Sequence, residues 1–234
     1  MSVFQTAYDA HLTISGHEIT WREILGNGFG FASAIGGLRR RVWAWPVGII
    51  GNILLFTVFM GTAVVNDQHI PLLGQAGRQI FFIAVSIYGW QRWRTTRHES
   101  PDESGPAVQP RWATASERTA YLLISGTAVV VLFFVFKQVG AVWPAPTWYF
   151  LADAWIFVGS VLATYAMARG WVDFWLCWIA VDLVGVPELI HFQLYPSALL
   201  YAVYGVLVIY GFFTWRRIAR EESPADPKTE MVGA

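Results

Sequence analysis

The 234-residue sequence predicts an all-α polytopic membrane protein, with seven transmembrane helices arranged as two parallel three-helix repeats joined by a linker helix (3+1+3). Three observations carry that expectation: an apolar, aromatic composition, seven apolar segments of near-spanning length, and a motif that returns at fixed offsets. Of the residues, 55% are hydrophobic, 16% aromatic and only 14% charged, a balance that suits lipid rather than water as the surrounding medium.

A spanning helix needs about 20 mostly apolar residues, because the hydrocarbon layer is about 30 Å thick and each residue rises about 1.5 Å. Segments at roughly 23–38, 42–65, 71–91, 118–137, 151–168, 172–192 and 197–215 approach that length. The first is rich in Gly and Ala, which lets helices approach closely inside a bundle. Residues 1–21 lack a basic start followed by an apolar core, so no cleavable signal peptide is expected. The chain then divides into an N-terminal segment and first repeat (1–94), a cytoplasmic loop (95–117), a linker helix with an external loop (118–150), a second repeat (151–216) and a cytoplasmic tail (217–234). The stretch 95–116 is polar and holds three prolines, so it reads as a mobile solvent loop. Thirteen of the sixteen Lys and Arg residues gather on one side of the spans, which predicts an external N-terminus and a cytoplasmic C-terminus in an inner or plasma membrane.

The repeat is read from matched residues. Tyr88-Gly89 with Trp93 and Tyr210-Gly211 with Trp215 share the pattern Y-G-x-x-x-W, 122 residues apart. An offset of 130 pairs Glu23 with Asp153, Arg39 with Arg169, Trp45 with Trp175 and Asn52 with Asp182. Equivalent helices lie four spans apart, so both halves keep one orientation and the fourth span connects them.

Several function classes fall away. Sixteen basic residues balance sixteen acidic ones, so no field attracts nucleic acid. Cys177 is the only cysteine and the five histidines occur singly, so neither a disulfide nor a metal site is expected. There is no phosphate-cradling G-x-x-x-x-G-K-[ST] loop for an ATP-driven pump and no lysine in the last span for a retinal Schiff base. No nucleophile and base stand together, so the chain reads as a non-enzyme without catalytic residues or cofactor.

Polar side chains inside hydrocarbon cost a few kcal/mol unless they face an interior path, so they mark the candidate site. Trp175, Trp178 and Asp182 share one face of span six; Trp45, Gly48 and Asn52 share the matching face of span two. Gln75 and Gln79 share a face of span three, and their equivalents Ser197 and Tyr201 on span seven continue to Tyr204. Asp153, Phe157, Ser160 and Thr164 align on span five. Such a lining suits a small ligand with a flat ring and a hydroxylated arm, since rings stack on indole while amides and carboxylates hold hydroxyls. Trp90, Trp93, Trp143, Trp148, Trp171 and Trp215 flank spans and read as interfacial anchors, and Glu188 and His191, after Pro187, as a solvated pair.

The run Asp173 to Leu183 (DFWLCWIAVDL), the run Leu194 to Tyr201 (LYPSALLY) and the closing Y-G-x-x-x-W-R-R resemble the PnuC-type bacterial vitamin transporters. The resemblance implies a SWEET-like fold, facilitated diffusion of a vitamin precursor across the bilayer, and trapping of the product by a cytoplasmic kinase. Members for nicotinamide riboside carry a W-x-x-W motif on the sixth span that stacks on the nicotinamide, and Trp175 and Trp178 match it. Nicotinamide riboside is therefore the first expectation, with riboflavin or thiamine as the alternative within the family. A non-transporting structural membrane subunit is the alternative from another class, and a homo-oligomer is left open.

Overall fold

The computed structural model describes residues 11–14, 17–61, 63–65, 68–70, 73–99, 105–140, 146–191 and 195–221. Among them are seven helices: α1 (Trp21–Leu38), α2 (Ala44–Gly61), α3 (Leu73–His98), α4 (Ala115–Val139), α5 (Thr147–Ala168), α6 (Asp173–His191) and α7 (Tyr195–Glu221). Two short antiparallel hairpins accompany them, β1 (His11–Ile14) with β2 (His17–Thr20) before α1, and β3 (Ala63–Val65) with β4 (Gln68–Ile70) between α2 and α3. The all-helical expectation did not include these hairpins. Both lie at the end of the bundle away from the arginine-rich junctions.

Local chemistry sets several boundaries. Thr20 caps α1 by accepting from the backbone N–H of Glu23. Thr114 and Glu117 form a reciprocal capping box that starts α4. Pro187 sits inside α6, which continues to His191.

By length and composition alone, three helical stretches among the described residues can cross a membrane: Ala115–Val139, Thr147–Ala168 and Leu199–Glu221. Ala44–Met60 is an apolar helix of shorter length. The seven expected spans are thus not seven equally apolar rods. α3 carries Arg78, Arg92, Arg94 and Arg97, and α6 carries Asp173, Asp182 and Glu188. Polar positions of this kind are tolerated where neighbouring helices cover them.

Packing arranges six helices in a closed ring. α1 packs on α2, α2 on α3, α3 on α5, α5 on α6 and α6 on α7. α7 returns to α1 through Trp215, whose Nε1 donates to Leu38 O at 3.0 Å, and through the edge-on pair Phe31 and Tyr204. α4 stands outside the ring against α5.

The same contacts recur in both halves. At the α1–α2 junction, Arg39, Arg40 and Arg41 donate backbone N–H groups to Ile35, Gly37 and Gly36; at the α5–α6 junction, Arg169, Gly170 and Trp171 donate to Tyr165, Met167 and Ala166. Every donor and acceptor in the second set lies 130 residues beyond its counterpart. The turn requires a left-handed residue after the helix end, with φ 55° at Arg40 and 73° at Gly170. Glycine adopts that conformation freely, whereas a residue with a Cβ costs roughly 1 kcal/mol more there.

The tryptophans repeat likewise. Trp45 packs on Gly89 and meets Trp93 edge-on, with ring centroids 5.1 Å apart. Trp175 packs on Gly211 and meets Trp215 edge-on at 5.9 Å. Trp93 Nε1 donates to Ala168 O at 3.2 Å, the counterpart of the Trp215 bond to Leu38. Trp93 and Trp215 are both 0% exposed and Trp171 is 4% exposed, so none of the three is an interfacial anchor. Their indoles fill the core where helices of the two halves meet. Trp90 and Trp148 are exposed, as anchors should be, and Trp143 lies outside the described residues.

A substitution test follows from this burial. Trp93→Phe and Trp215→Phe keep an aromatic body but leave a buried carbonyl unpaired, so each should lower stability by about 1–3 kcal/mol in thermal or denaturant unfolding. Two similar losses are expected because the two bonds are equivalent. A variant at either site as stable as the parent would contradict the assignment.

The 95–117 region also departs from expectation. α3 extends through His98, and residues 105–114 dock across both junctions. Ala107 N donates to Arg40 O, Arg111 N to Gly170 O and Val172 N to Arg111 O. Ala107 and Ala113 are 1% and 6% exposed; these small side chains let the strap lie flat on the helix ends.

Candidate functional site

The polar groups on the ring helices form three levels along the bundle. At the arginine-rich end lie the tryptophan pairs. The indole Nε1 atoms of Trp45 and Trp175, 3% and 4% exposed, find no acceptor among the described residues. Each ring is enclosed by its glycine notch and by aromatic neighbours, which for Trp175 are Phe174 and Trp215. Trp178, one turn further along α6, is half-buried against the same cluster. The two tryptophans of the W-x-x-W pair are therefore unequal: the Trp175 ring is committed to helix packing, while Trp178 retains an accessible surface.

The middle level holds Asn52 on α2 and Asp182 on α6, which lie 130 residues apart. Both are half-buried, and neither makes a side-chain hydrogen bond or ion pair among the described residues. Asp182 leans over α7, its Oδ2 lying 3.5 Å from where a Cβ on Gly205 would stand. Tyr204 reaches α1, with its hydroxyl 3.4 Å from the same construction at Gly30. Tyr201 lies over Gly185 of α6. Glycines at 30, 185 and 205 thus make room for the polar and aromatic side chains that the sequence selected.

Nearer the hairpin end, Gln79 of α3 is 3% exposed and Glu188 of α6 is 9% exposed. Gln79 Oε1 and Glu188 Oε1 both lack a donor among the described residues. Asp153 of α5 lies within electrostatic reach of Arg78 and Glu188. Glu188 is consequently not part of a solvated pair with His191, which is exposed and sits edge-on to Trp148 at 5.3 Å. Sequence reasoning passed over Arg78 and left Glu188 outside the site. Their charges inside span-length segments were the available signal.

The side chains of Gln75 and Ser197 lie outside the described residues. On α5, Phe157 is wedged between Phe81 of α3 and Phe136 of α4, and Thr164 Oγ1 donates to Ser160 O of its own helix. Below Asp153 this stripe serves helix contacts more than an open path.

An ion-pair network anchors the arginine-rich end. Glu117 receives Arg111 at 2.7 Å and Arg169 at 3.2 Å, and Asp173 receives Arg118 at 2.7 Å. The Arg111 guanidinium and the Thr114 backbone N–H both donate to the Glu117 carboxylate, which ties the start of α4 to the strap. Among the described residues, no three His, Cys, Asp or Glu side chains are placed to hold a metal.

The sequence profile of the nicotinamide mononucleotide transporter family matches residues 20–217. The riboflavin/roseoflavin transporter RibM of Streptomyces davaonensis is 36% identical over 205 residues, covering 88% of this chain and 89% of that protein. The nicotinamide riboside transporter PnuC of Escherichia coli is 23% identical over 225 residues, with the same coverage of each chain. The crystal structure of the vitamin B3 transporter PnuC superposes with a TM-score of 0.64 at 16% identity, over 87% of this chain and 83% of that one.

Proposed function

This chain belongs to the nicotinamide mononucleotide transporter family, a family of PnuC-type multi-pass membrane transporters, and on that premise we propose that it carries riboflavin by facilitated diffusion. The observation that carries the choice of vitamin is the 36% identity to the riboflavin/roseoflavin transporter over nearly the whole of both chains, against 23% to the nicotinamide riboside transporter. The first expectation from the sequence, nicotinamide riboside, rested on Trp175 and Trp178 as a stacking pair. The burial of Trp175 against Gly211 weakens that support.

Riboflavin is neutral, with a flat tricyclic ring, an amide edge and a polyhydroxyl arm. The accessible face of Trp178 and the rings of Tyr201 and Tyr204 offer stacking surface. Asn52, Asp182 and Gln79 offer partners for the amide edge and the hydroxyls. Nicotinamide riboside is the second reading; its pyridinium cation would draw on Asp182.

The two halves act as parallel repeats around this ligand, a reading supported by the hydrogen bonds and indole contacts that recur at offsets of 130 and 122. The arginine-rich end faces the cytoplasm, in keeping with basic-residue retention. There the Trp93–Ala168 and Trp215–Leu38 bonds tie each half to the other and close the path, so inward release requires both to part. A cytoplasmic kinase then traps the vitamin as its phosphate.

Facilitated diffusion has a kinetic signature. Proteoliposomes containing only this protein should exchange labelled riboflavin in both directions at similar rates, without ATP or an ion gradient. Accumulation above equilibrium driven by a proton or sodium gradient would overturn it, and Asp153, Asp182 and Glu188 would become the coupling candidates.

A further inference from the structure

The strongest feature that the transport reading leaves unused is a groove of about 960 Å³ on the outside of the ring, between α4, α5 and α6. We propose that this groove binds one anionic phospholipid, with an acyl chain between α4 and α6 and its phosphate on Arg118.

The walls have the right chemistry and length. Leu122, Ser125 and Val129 follow one face of α4, while Leu176, Ala180 and Val184 follow one face of α6. On the floor, Val181 of α6 packs against Gly159 of α5, which brings these two helices close together. A Cβ built on Gly126 of α4 would meet nothing within 4 Å, so a lining position opens onto empty space. From Arg118 to Val130 the α4 wall is about 18 Å long at 1.5 Å per residue, a little over half of the roughly 30 Å hydrocarbon layer. One leaflet's acyl chain fits that span.

The mouth selects the headgroup. Arg118 donates Nε to Asp173 Oδ1 at 2.7 Å and lies over the Trp112 ring at 5.5 Å. Its side chain is 49% exposed, and its Nη groups make no hydrogen bond among the described residues. Around it, among the described residues, the three guanidinium groups of Arg111, Arg118 and Arg169 share two carboxylates, Glu117 and Asp173, and Arg169 also meets the Tyr88 hydroxyl. One positive charge is left over, matching the single negative charge of a phosphodiester that carries no amine. Trp112, 36% exposed, flanks the site, where an indole favours the headgroup level. A second copy of the chain could cover the apolar walls, but nothing in the walls would match the unspent cation.

The test uses the full chain purified in neutral detergent, with bound lipid read by native mass spectrometry and unfolding followed on adding phosphatidylglycerol or phosphatidylcholine. The parent should retain one phosphatidylglycerol and be stabilised by it, with phosphatidylcholine at least about tenfold weaker. Gly126→Phe fills the groove without a backbone clash and should remove both retention and stabilisation while helix content persists. Arg118→Gln should remove the preference for the anionic lipid. Undiminished retention in Gly126→Phe, equal response to the two lipids, or a lipid-free oligomer that Gly126→Phe dissociates would each overturn the proposal. None of these readouts involves the transported vitamin, so their failure is separate from failure of the riboflavin reading.

Discussion

Replacing Trp175 by alanine should strongly destabilise the bundle rather than merely weaken a ligand. The ring is 4% exposed and packs among Phe174, Trp215 and the notch at Gly211, so truncation leaves a cavity where α6 meets α7. Buried Trp-to-Ala changes cost about 3–5 kcal/mol, a large share of a total stability of about 5–15 kcal/mol. Trp45→Ala should cost a comparable amount, because Trp45 fills the equivalent notch at Gly89. Trp178→Ala supplies the contrast: partly accessible, it should leave folded yield near normal and weaken ligand binding about tenfold, which is about 1.4 kcal/mol. Size-exclusion yield and thermal unfolding measure the first effect, and ligand titration measures the second. A well-folded Trp175→Ala protein that has lost binding would return that indole to the ligand.

The notch itself should be as sensitive from the other side. At Gly211 a Cβ would fall 2.5 Å from Cζ2 of Trp175, and at Gly89 it would fall 2.6 Å from Cζ2 of Trp45. Real side chains do not approach so closely, so Gly211→Ala and Gly89→Ala must displace an indole that has no free space to enter. Overpacking of this kind typically costs about 1–3 kcal/mol. Against that stands a helix-propensity gain of at most about 1 kcal/mol for Gly to Ala. Net destabilisation is expected in both variants. Gly126→Ala, whose Cβ meets nothing within 4 Å, should be neutral or stabilising in the same assay. If all three behaved alike, the close approach of indole to glycine would be refuted.

Much of the fold was legible because a membrane helix states its length and its apolar content directly. The two Y-G-x-x-x-W motifs carry contacts as well as letters. Gly89 and Gly211 receive indoles, and Trp93 and Trp215 donate to the ends of α5 and α1. What the motif did not reveal was burial. A tryptophan at a helix end looks the same in sequence whether it anchors at headgroups or fills a junction, and only the partner position distinguishes them. The glycine four residues earlier was that clue, because it forms the notch into which Trp45 or Trp175 packs beside the helix-end ring. The strap at 105–114 was misread for a related reason. Its prolines and polar residues match a solvent loop in composition, while its docking rests on the small side chains of Ala107 and Ala113 and on backbone hydrogen bonds.

The candidate site was legible at Asp182, Asn52, Tyr201 and Tyr204, because intramembrane polarity at helical spacing selects them. It was illegible at Glu188, which follows Pro187 and whose helical phase could not be carried past the proline. Gln79 was found by its spacing, and its burial with an unpaired Oε1 shows a polar group for which the chain itself supplies no donor.

The claim that this transporter carries a flavin is tested most directly by titrating the purified protein with riboflavin, nicotinamide riboside and thiamine, and following both isoalloxazine and tryptophan fluorescence. Riboflavin should bind saturably with quenching of both signals, at least about tenfold more tightly than either competitor, and Trp178→Ala should reduce the quenching. Tighter binding of nicotinamide riboside, with no saturable riboflavin signal, would contradict the assignment of the vitamin.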